Sequence, residues 1–426
     1  MSLAFALLLV AVAASPVSAI LDGFLLQSIV AITAVAALAA VGTAARAADV
    51  VFAARVTRHL NLVVALPALW MAIQLLPTPL GAHSIWTNAN ETLNQQSWGH
   101  ISIDLGATIN ALALYLSNVA LIVVSLFVGR DRRRADFILF ALAAIAVLTT
   151  IVLLVSKLTQ NAGREVANDP LGAVSALGLI LSLALAARDV ERNESARAPQ
   201  PLLGLKSPLL IPAVGLVACI AGLAAGATLN VALTALIGVA VLASIQAIRR
   251  LDLPNWAAGI VFTTIIIAVG MIIAWGYDAS RPGSPLLQFA TQAPGDALSM
   301  AQRILSDTTW RGAGAGTYAQ LTPIYRELGN SVRNPPTTAA AIAIELGWPM
   351  ALFAIAAAFG LGAALYRGAL VRGRDSFYPA AAAAFVVALV GEAFCDLSLC
   401  ATCVSVIGTT MIGLGLAQSM SSSDNA

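Results

Sequence analysis

From Arg311 to Arg333 three arginines, Arg311, Arg326 and Arg333, meet one acid, Glu327, in the stretch WRGAGAGTYAQLTPIYRELGNSVRN. Gly312, Gly314 and Gly316 remove side chains where backbone N–H groups can approach an anion, and guanidinium groups match phosphate oxygens through paired hydrogen bonds. Together these residues predict a cradle for a phosphorylated ligand. The G-x-G-x-G spacing differs from the G-x-G-x-x-G dinucleotide fingerprint and lacks its strand–turn–helix setting, which argues against a nucleotide. Further on, GEAFCDLSL places Glu392 and Asp396 on one helical face. Acids in so apolar a setting face a cavity or a partner. These two are suited to hold an arginine of the preceding loop, to bind hydroxyl groups, or to act as a general base.

The elements that must position these residues are membrane helices. The chain has 426 residues, 59% apolar and only 10% charged, which excludes a string of soluble domains. A net charge of +2 is too small to imply a nucleic-acid partner. Apolar runs predict an all-α, polytopic membrane bundle of about 12 helices, near 3–20, 22–43, 60–78, 106–128, 137–155, 171–188, 209–227, 230–248, 256–275, 339–366, 378–395 and 401–418. Residues 1–20 end in VSAI, a pattern resembling a signal-peptide cleavage site, but no basic region precedes them and we read them as the first span.

Of the 23 basic residues, 16 fall in connections on one side, among them Arg130, Arg132, Arg133, Arg134, Arg188, Arg192, Arg249, Arg250 and Arg372. That asymmetry makes the side cytoplasmic, with both termini inside. The organisation is then residues 1–275 with nine helices, an outer loop over 276–338, and residues 339–426 with three helices and a short tail. Within the loop, GDALSMAQRILSD puts Ala297, Leu298, Ala301, Ile304 and Leu305 on one face of a short helix. Cys219, Cys395, Cys400 and Cys403 sit in or beside apolar spans and read as small packing residues. His59, His83 and His100 are not spaced as metal ligands.

At four segments the chain resembles the bacterial O-antigen ligase and polymerase superfamily. WRGAGAGTYAQLTPIYR (310–326) resembles that family's G-x-G-x-G-[TS]-[FY] segment with its following P-x-Y. AIAIELGWPMALF (341–353) resembles the segment opening the helix after the large loop, ISIDLGATINAL (101–112) one leading into the fourth span, and EAFCDLSL (392–399) a His-Ser-Leu-x-Asp-[FL] segment. Two positions depart: Pro336 stands where many ligases carry a His, and Glu392 where the last motif begins with His. The departures favour a polymerase, or a ligase-like transferase of another polysaccharide, over a lipid A-core ligase with a histidine base.

The resemblance implies a GT-C-like membrane enzyme of the bacterial inner membrane that moves or polymerises undecaprenyl-diphosphate-linked oligosaccharide on the periplasmic side. Its products are O-antigen, lipopolysaccharide or exopolysaccharide, and it uses no cofactor and no metal. The implied partners are the lipid-linked donor, a glycan or lipid-linked acceptor, membrane lipid, a flippase and a chain-length regulator. Arg311 and Arg326, then Arg333 and Arg281, would stabilise the departing diphosphate, and Arg164 in GREVANDP follows a faint likeness. Tyr318 and Tyr325 would stack on or hydrogen-bond a sugar. Asp396, Glu392 and Glu327 are the candidate bases, in that order. A secondary transporter and a non-catalytic assembly protein of an envelope pathway are the competing expectations.

Overall fold

A computed structural model describes residues 1–20, 23–58, 60–78, 82–94, 98–159, 170–195, 210–251, 290–326, 334–372 and 375–419, with single positions between 256 and 287. It is a multi-pass membrane helix bundle, and among the described residues there is no β-strand. In chain order the helices are α1 (Ser2–Ala13), α2 (Ser15–Ile20), α3 (Phe24–Ala44), α4 (Ala47–Thr57), α5 (Leu60–Leu75), α6 (Ser84–Leu93), α7 (Leu105–Val128), α8 (Arg132–Thr159), α9 (Leu171–Ser195), α10 (Leu210–Gly226) and α11 (Leu229–Arg250). The loop contributes α12 (Gly295–Asp307), α13 (Tyr318–Tyr325) and α14 (Thr338–Glu345), and α15 (Trp348–Val371), α16 (Phe377–Cys395) and α17 (Thr402–Ser419) complete the bundle.

Nine helical stretches among the described residues are long and apolar enough to cross a bilayer, or ten if the bent pair α4–α5 counts as one crossing. Of the twelve expected spans, the one at 256–275 lies almost wholly outside the described residues. The expected span at 339–366 needs correction. It is two helices, because Gly347 has φ +90° and separates α14 from α15. A side chain there would meet the Trp310 carbonyl oxygen at 2.0 Å, so the break is fixed by a close backbone crossing that the apolar run conceals.

The bundle is organised around α16. Every residue from Phe377 to Phe385 is fully buried, and α9, α11, α15 and α17 pack around it. The run Ala380–Ala384 keeps its surface thin, which lets neighbours approach closely where no hydrophobic effect drives helices together. α16 begins at a basic end, beside Glu191 and Asp136, and finishes at a loop end, where Cys395 and Asp396 meet Thr291 and Thr338. At the loop end α12 lays Leu298, Met300, Ala301 and Ile304 against Tyr318, Leu321 and Ile344, a small second core. Its apolar face is the one the sequence spacing predicts.

Candidate functional site

The glycine loop closes on the chain's own acid. Gly316 N–H and Tyr318 N–H donate to the two carboxylate oxygens of Glu345, at 2.7 and 3.1 Å. Gly314 N–H donates to the Glu345 carbonyl and Ala313 N–H to that of Ile344, each at 3.0 Å. Gly312 N–H donates to Thr309 O, and Ala315 N–H to Gln74 Oε1 at 3.1 Å. A Cβ on Gly312, whose φ is +81°, would lie 2.2 Å from the Glu345 carbonyl oxygen. All three glycines have positive φ, and a Cβ would meet Glu345 at Gly312, Ser102 at Gly314 and Ala107 at Gly316, so the loop is glycine-rich because the chain itself packs against it. The expectation of a phosphate cradle built from their N–H groups is overturned: those donors are already engaged by Glu345, its neighbours and Gln74.

Glu345 and Gln74 are functional-site residues that sequence reasoning left out. Gln74 is completely buried, and its amide nitrogen donates to the carbonyls of Arg311 and Glu345 at 3.2 and 3.0 Å. Trp70 Nε1, one turn earlier on α5, donates to Leu346 O at 2.8 Å. The segment before α7 closes the other side. Ile103 N–H donates to Ala313 O, Thr108 Oγ1 donates to Ala315 O, and Gln320 Nε2 bonds Asp104, the residue that caps α7. A lone Gln in LWMAIQLLP and a lone Glu in AIAIELG were the available signals, since polar groups in such runs need buried partners. Burial pushes the Glu345 carboxyl up to about 7, against the pull of the two N–H donors.

Arg311 stands on this knot, its backbone carbonyl held by Gln74. Its guanidinium lies 5.2 Å from the ring centroid of Trp310, which is half-exposed and stacks on Trp70 at 6.3 Å. Among the described residues no carboxylate pairs with Arg311 or with Arg326, which is exposed just after α13. Arg164, Arg281, Arg333 and Glu327 lie outside the described residues. Tyr318 departs from expectation: it is 2% exposed within the loop core, with its hydroxyl unpartnered, so it is a packing residue that cannot present its ring to a sugar. Tyr325 is half-buried beside Asp307, where burial first and then the carboxylate raise its phenol.

Glu392 and Asp396 reach the same region through α14. The Asp396 carbonyl accepts from Thr338 N–H and Oγ1 at 2.9 and 3.0 Å, and its carboxylate accepts from Ser398 N–H at 2.8 Å. Glu392 is fully buried in the last turn of α16 and neither carboxyl oxygen has a hydrogen-bond partner among the described residues. It makes no ion pair with a described arginine, so the reading in which it holds a loop arginine is not met there. α14 thus carries the glycine loop at its C-terminal end and Asp396 at its N-terminal end, about 10 Å apart at 1.5 Å per residue.

Across one short helix the geometry joins Arg311, which pairs with no described carboxylate, to Asp396 and Glu392. Such an arrangement can oppose an anionic leaving group at one end and accept a proton at the other. No protein-family model matches the chain, and no curated protein matches it.

Proposed function

We propose that the protein is a periplasm-facing glycosyltransferase of the bacterial inner membrane, which transfers or polymerises undecaprenyl-diphosphate-linked oligosaccharide units. One observation carries the reading. The four segments that resemble the O-antigen ligase and polymerase superfamily are separate in the chain and joined by hydrogen bonds: 310–326 to 341–353 through Glu345, 101–112 to 310–326 through Thr108 and Ile103, and 392–399 to the start of α14 through Asp396. The N and C termini are then cytoplasmic and the loop periplasmic.

In this reaction the acceptor hydroxyl oxygen bonds the donor's anomeric carbon as the carbon–oxygen bond to the diphosphate breaks. The lipid diphosphate leaves with the electron pair, and the hydroxyl proton passes to a carboxylate. Arg311 and Arg326 oppose the developing phosphate charge. A preorganised group of this kind is worth about 3–4 kcal/mol of barrier. Asp396, which is only part-buried where Glu392 is fully buried, takes the proton, and Tyr325, with Arg333, Arg281 and Arg164, completes the donor and acceptor contacts. Glu345 and Gln74 touch no substrate and position Arg311 through its backbone.

The test is turnover by the purified chain in lipid vesicles supplied with undecaprenyl-diphosphate oligosaccharide and a chelator. Release of undecaprenyl diphosphate, lost in Arg311→Ala, is expected; an inert wild-type protein, or one active only after Mg²⁺ is added, would overturn the reading. A secondary transporter is the second reading, favoured by the unpartnered carboxyl of Glu392 in a spanning helix. It predicts cation- or proton-coupled uptake into vesicles that Glu392→Gln stops.

A further inference from the structure

The helix α4 is set across its neighbours rather than along them. α5 packs along α7, and α4 meets α5 at 77°. With 11 residues α4 is about 16 Å long, too short to cross a hydrocarbon core of about 30 Å. Arg130 fixes its level. That residue stands two positions beyond Val128, the last of α7, and its guanidinium pairs with Asp49 in the first turn of α4 and lies 5.1 Å from the ring centroid of Phe52. α4 therefore runs along the plane in which a spanning helix leaves the hydrocarbon.

The face of α4 turned from the bundle mixes two kinds of side chain. Ala53 is buried, whereas Val50 and Val51 are at least half exposed. Arg55 and Arg58 are exposed too, and with Val51 they follow the i, i+4, i+7 spacing of a single helical face. Exposed valines gain nothing from water, and guanidinium groups are costly within hydrocarbon, so the layer that suits both is the headgroup boundary. The charge of this region does not cancel. Asp49 and Asp131, the acids of the α3–α5 and α7–α8 connections, pair with Arg130 and Arg134, and Arg132 pairs with Asp375. Arg46, Arg58 and Arg133 are exposed and pair with no carboxylate among the described residues. Guanidinium groups held at this depth match phosphate oxygens through paired hydrogen bonds.

We propose that α4 lies in the bilayer interface and, with the turn between α7 and α8, forms a docking surface for the headgroup phosphate of anionic phospholipid. Val50 and Val51 reach the acyl boundary, and the arginines around them meet the phosphates. The assignment does not depend on the proposed transfer reaction. It gives the basic connections a ligand, where the sequence pattern gives them an orienting role alone.

Lipid selectivity at the protein surface tests it, measured on the full chain in phosphatidylcholine nanodiscs with spin-labelled phosphatidylglycerol or spin-labelled phosphatidylcholine as probe. The parent should prefer phosphatidylglycerol about threefold or more. That preference should largely vanish in the triple variant Arg55→Gln, Arg58→Gln, Arg133→Gln, at a melting temperature near that of the parent, and should persist in Arg303→Gln at the loop end. Inorganic phosphate at millimolar concentration should not remove it. Loss of three arginines can disturb insertion, so a second measurement uses the unmodified protein: phosphatidylglycerol with a photoreactive headgroup should mark residues 46–58 or 130–134. Equal affinity of the parent for both lipids, a preference that survives the triple variant, or labelling confined to other segments would end the proposal. Loss of the preference to inorganic phosphate would instead reveal a site for soluble anions and end it equally.

Discussion

The two ends of the bundle treat charge in opposite ways. At the basic end Asp136 of α8 receives Arg188 Nε at 3.2 Å, Arg192 at 2.7 Å and the Tyr378 hydroxyl. Arg249 pairs with Glu191, which also accepts from Ser376, while Arg132 pairs with Asp375 and Arg130 with Asp49. At the loop end Arg311 rests on an indole, Glu345 is held by backbone N–H groups, and Glu392 is held by nothing described. At the basic end cations and acids are joined across helices, whereas at the loop end no described carboxylate pairs with Arg311 or Arg326. The arginines of the basic end orient the chain in the sequence reading. In the structure they also fasten α8, α9, α11 and α16 to one another.

The largest effect should come from breaking the joined end. Asp136→Ala takes the described carboxylate partner from Arg192 and leaves Arg188, 5% exposed, with Asp189 alone, and breaking such a part-buried network costs up to about 3–5 kcal/mol. The melting temperature in detergent should fall sharply, while turnover per folded molecule stays near the parent value. An unmoved melting temperature would mean the network is ornamental. Next in size, Arg311→Ala should lower turnover by about 10²–10³-fold with little change in melting temperature. Lys should recover only part of the loss, because a point charge cannot reproduce the guanidinium fork. If Asp136→Ala and Arg311→Ala moved the same observable, the contrast between the ends would collapse.

A smaller effect is expected at the crossing of the two backbone segments. Gly312→Ala forces a Cβ against the Glu345 carbonyl in a backbone region that non-glycine residues avoid, at a cost of about 1–3 kcal/mol. Stability and turnover should fall together, since the loop that carries Arg311 must shift. Turnover lost at full stability would instead place Gly312 against substrate.

How much of this the sequence disclosed follows from what kind of information each feature needs. Nine of the twelve expected spans coincide with described helices long and apolar enough to cross a bilayer, and the amphipathic α12 lies where its spacing puts it, so runs and spacing could be read directly. Spacing has no direction, however. Three alternate glycines announce that something comes close to the backbone, but whether it is a phosphate or the chain's own Glu345 depends on a residue about thirty positions away. The break at Gly347 is hidden for the same reason, because Trp310 demands it from outside the run. Gln74 looks like one polar residue in α5 until Arg311, Ala315 and Glu345 are seen to share its amide. The ion pairs of the basic end join helices 50 and more residues apart, which the positive-inside pattern counts but cannot match.

The most delicate test of the contrast is pH. The Glu345 carboxyl is raised from 4.5 to about 7 by burial, so the folded chain holds a proton that the unfolded chain has released. A raised folded value means that the stabilisation is complete below the unfolded value and is lost as pH rises through the folded one. The window is therefore about 4.5 to 7, and its upper flank implies roughly 1 kcal/mol less stability at pH 8 than at pH 6. Glu345→Gln should lower stability slightly at every pH, because one amide oxygen cannot serve both Gly316 and Tyr318 N–H groups. It should also flatten that slope, which melting curves in detergent from pH 5.5 to 8.5 measure. A slope that persists in Glu345→Gln would assign the titration to another group. A slope that vanishes while Arg311-dependent turnover loses its own pH dependence would tie the buried acid of the loop end to the cation beside it.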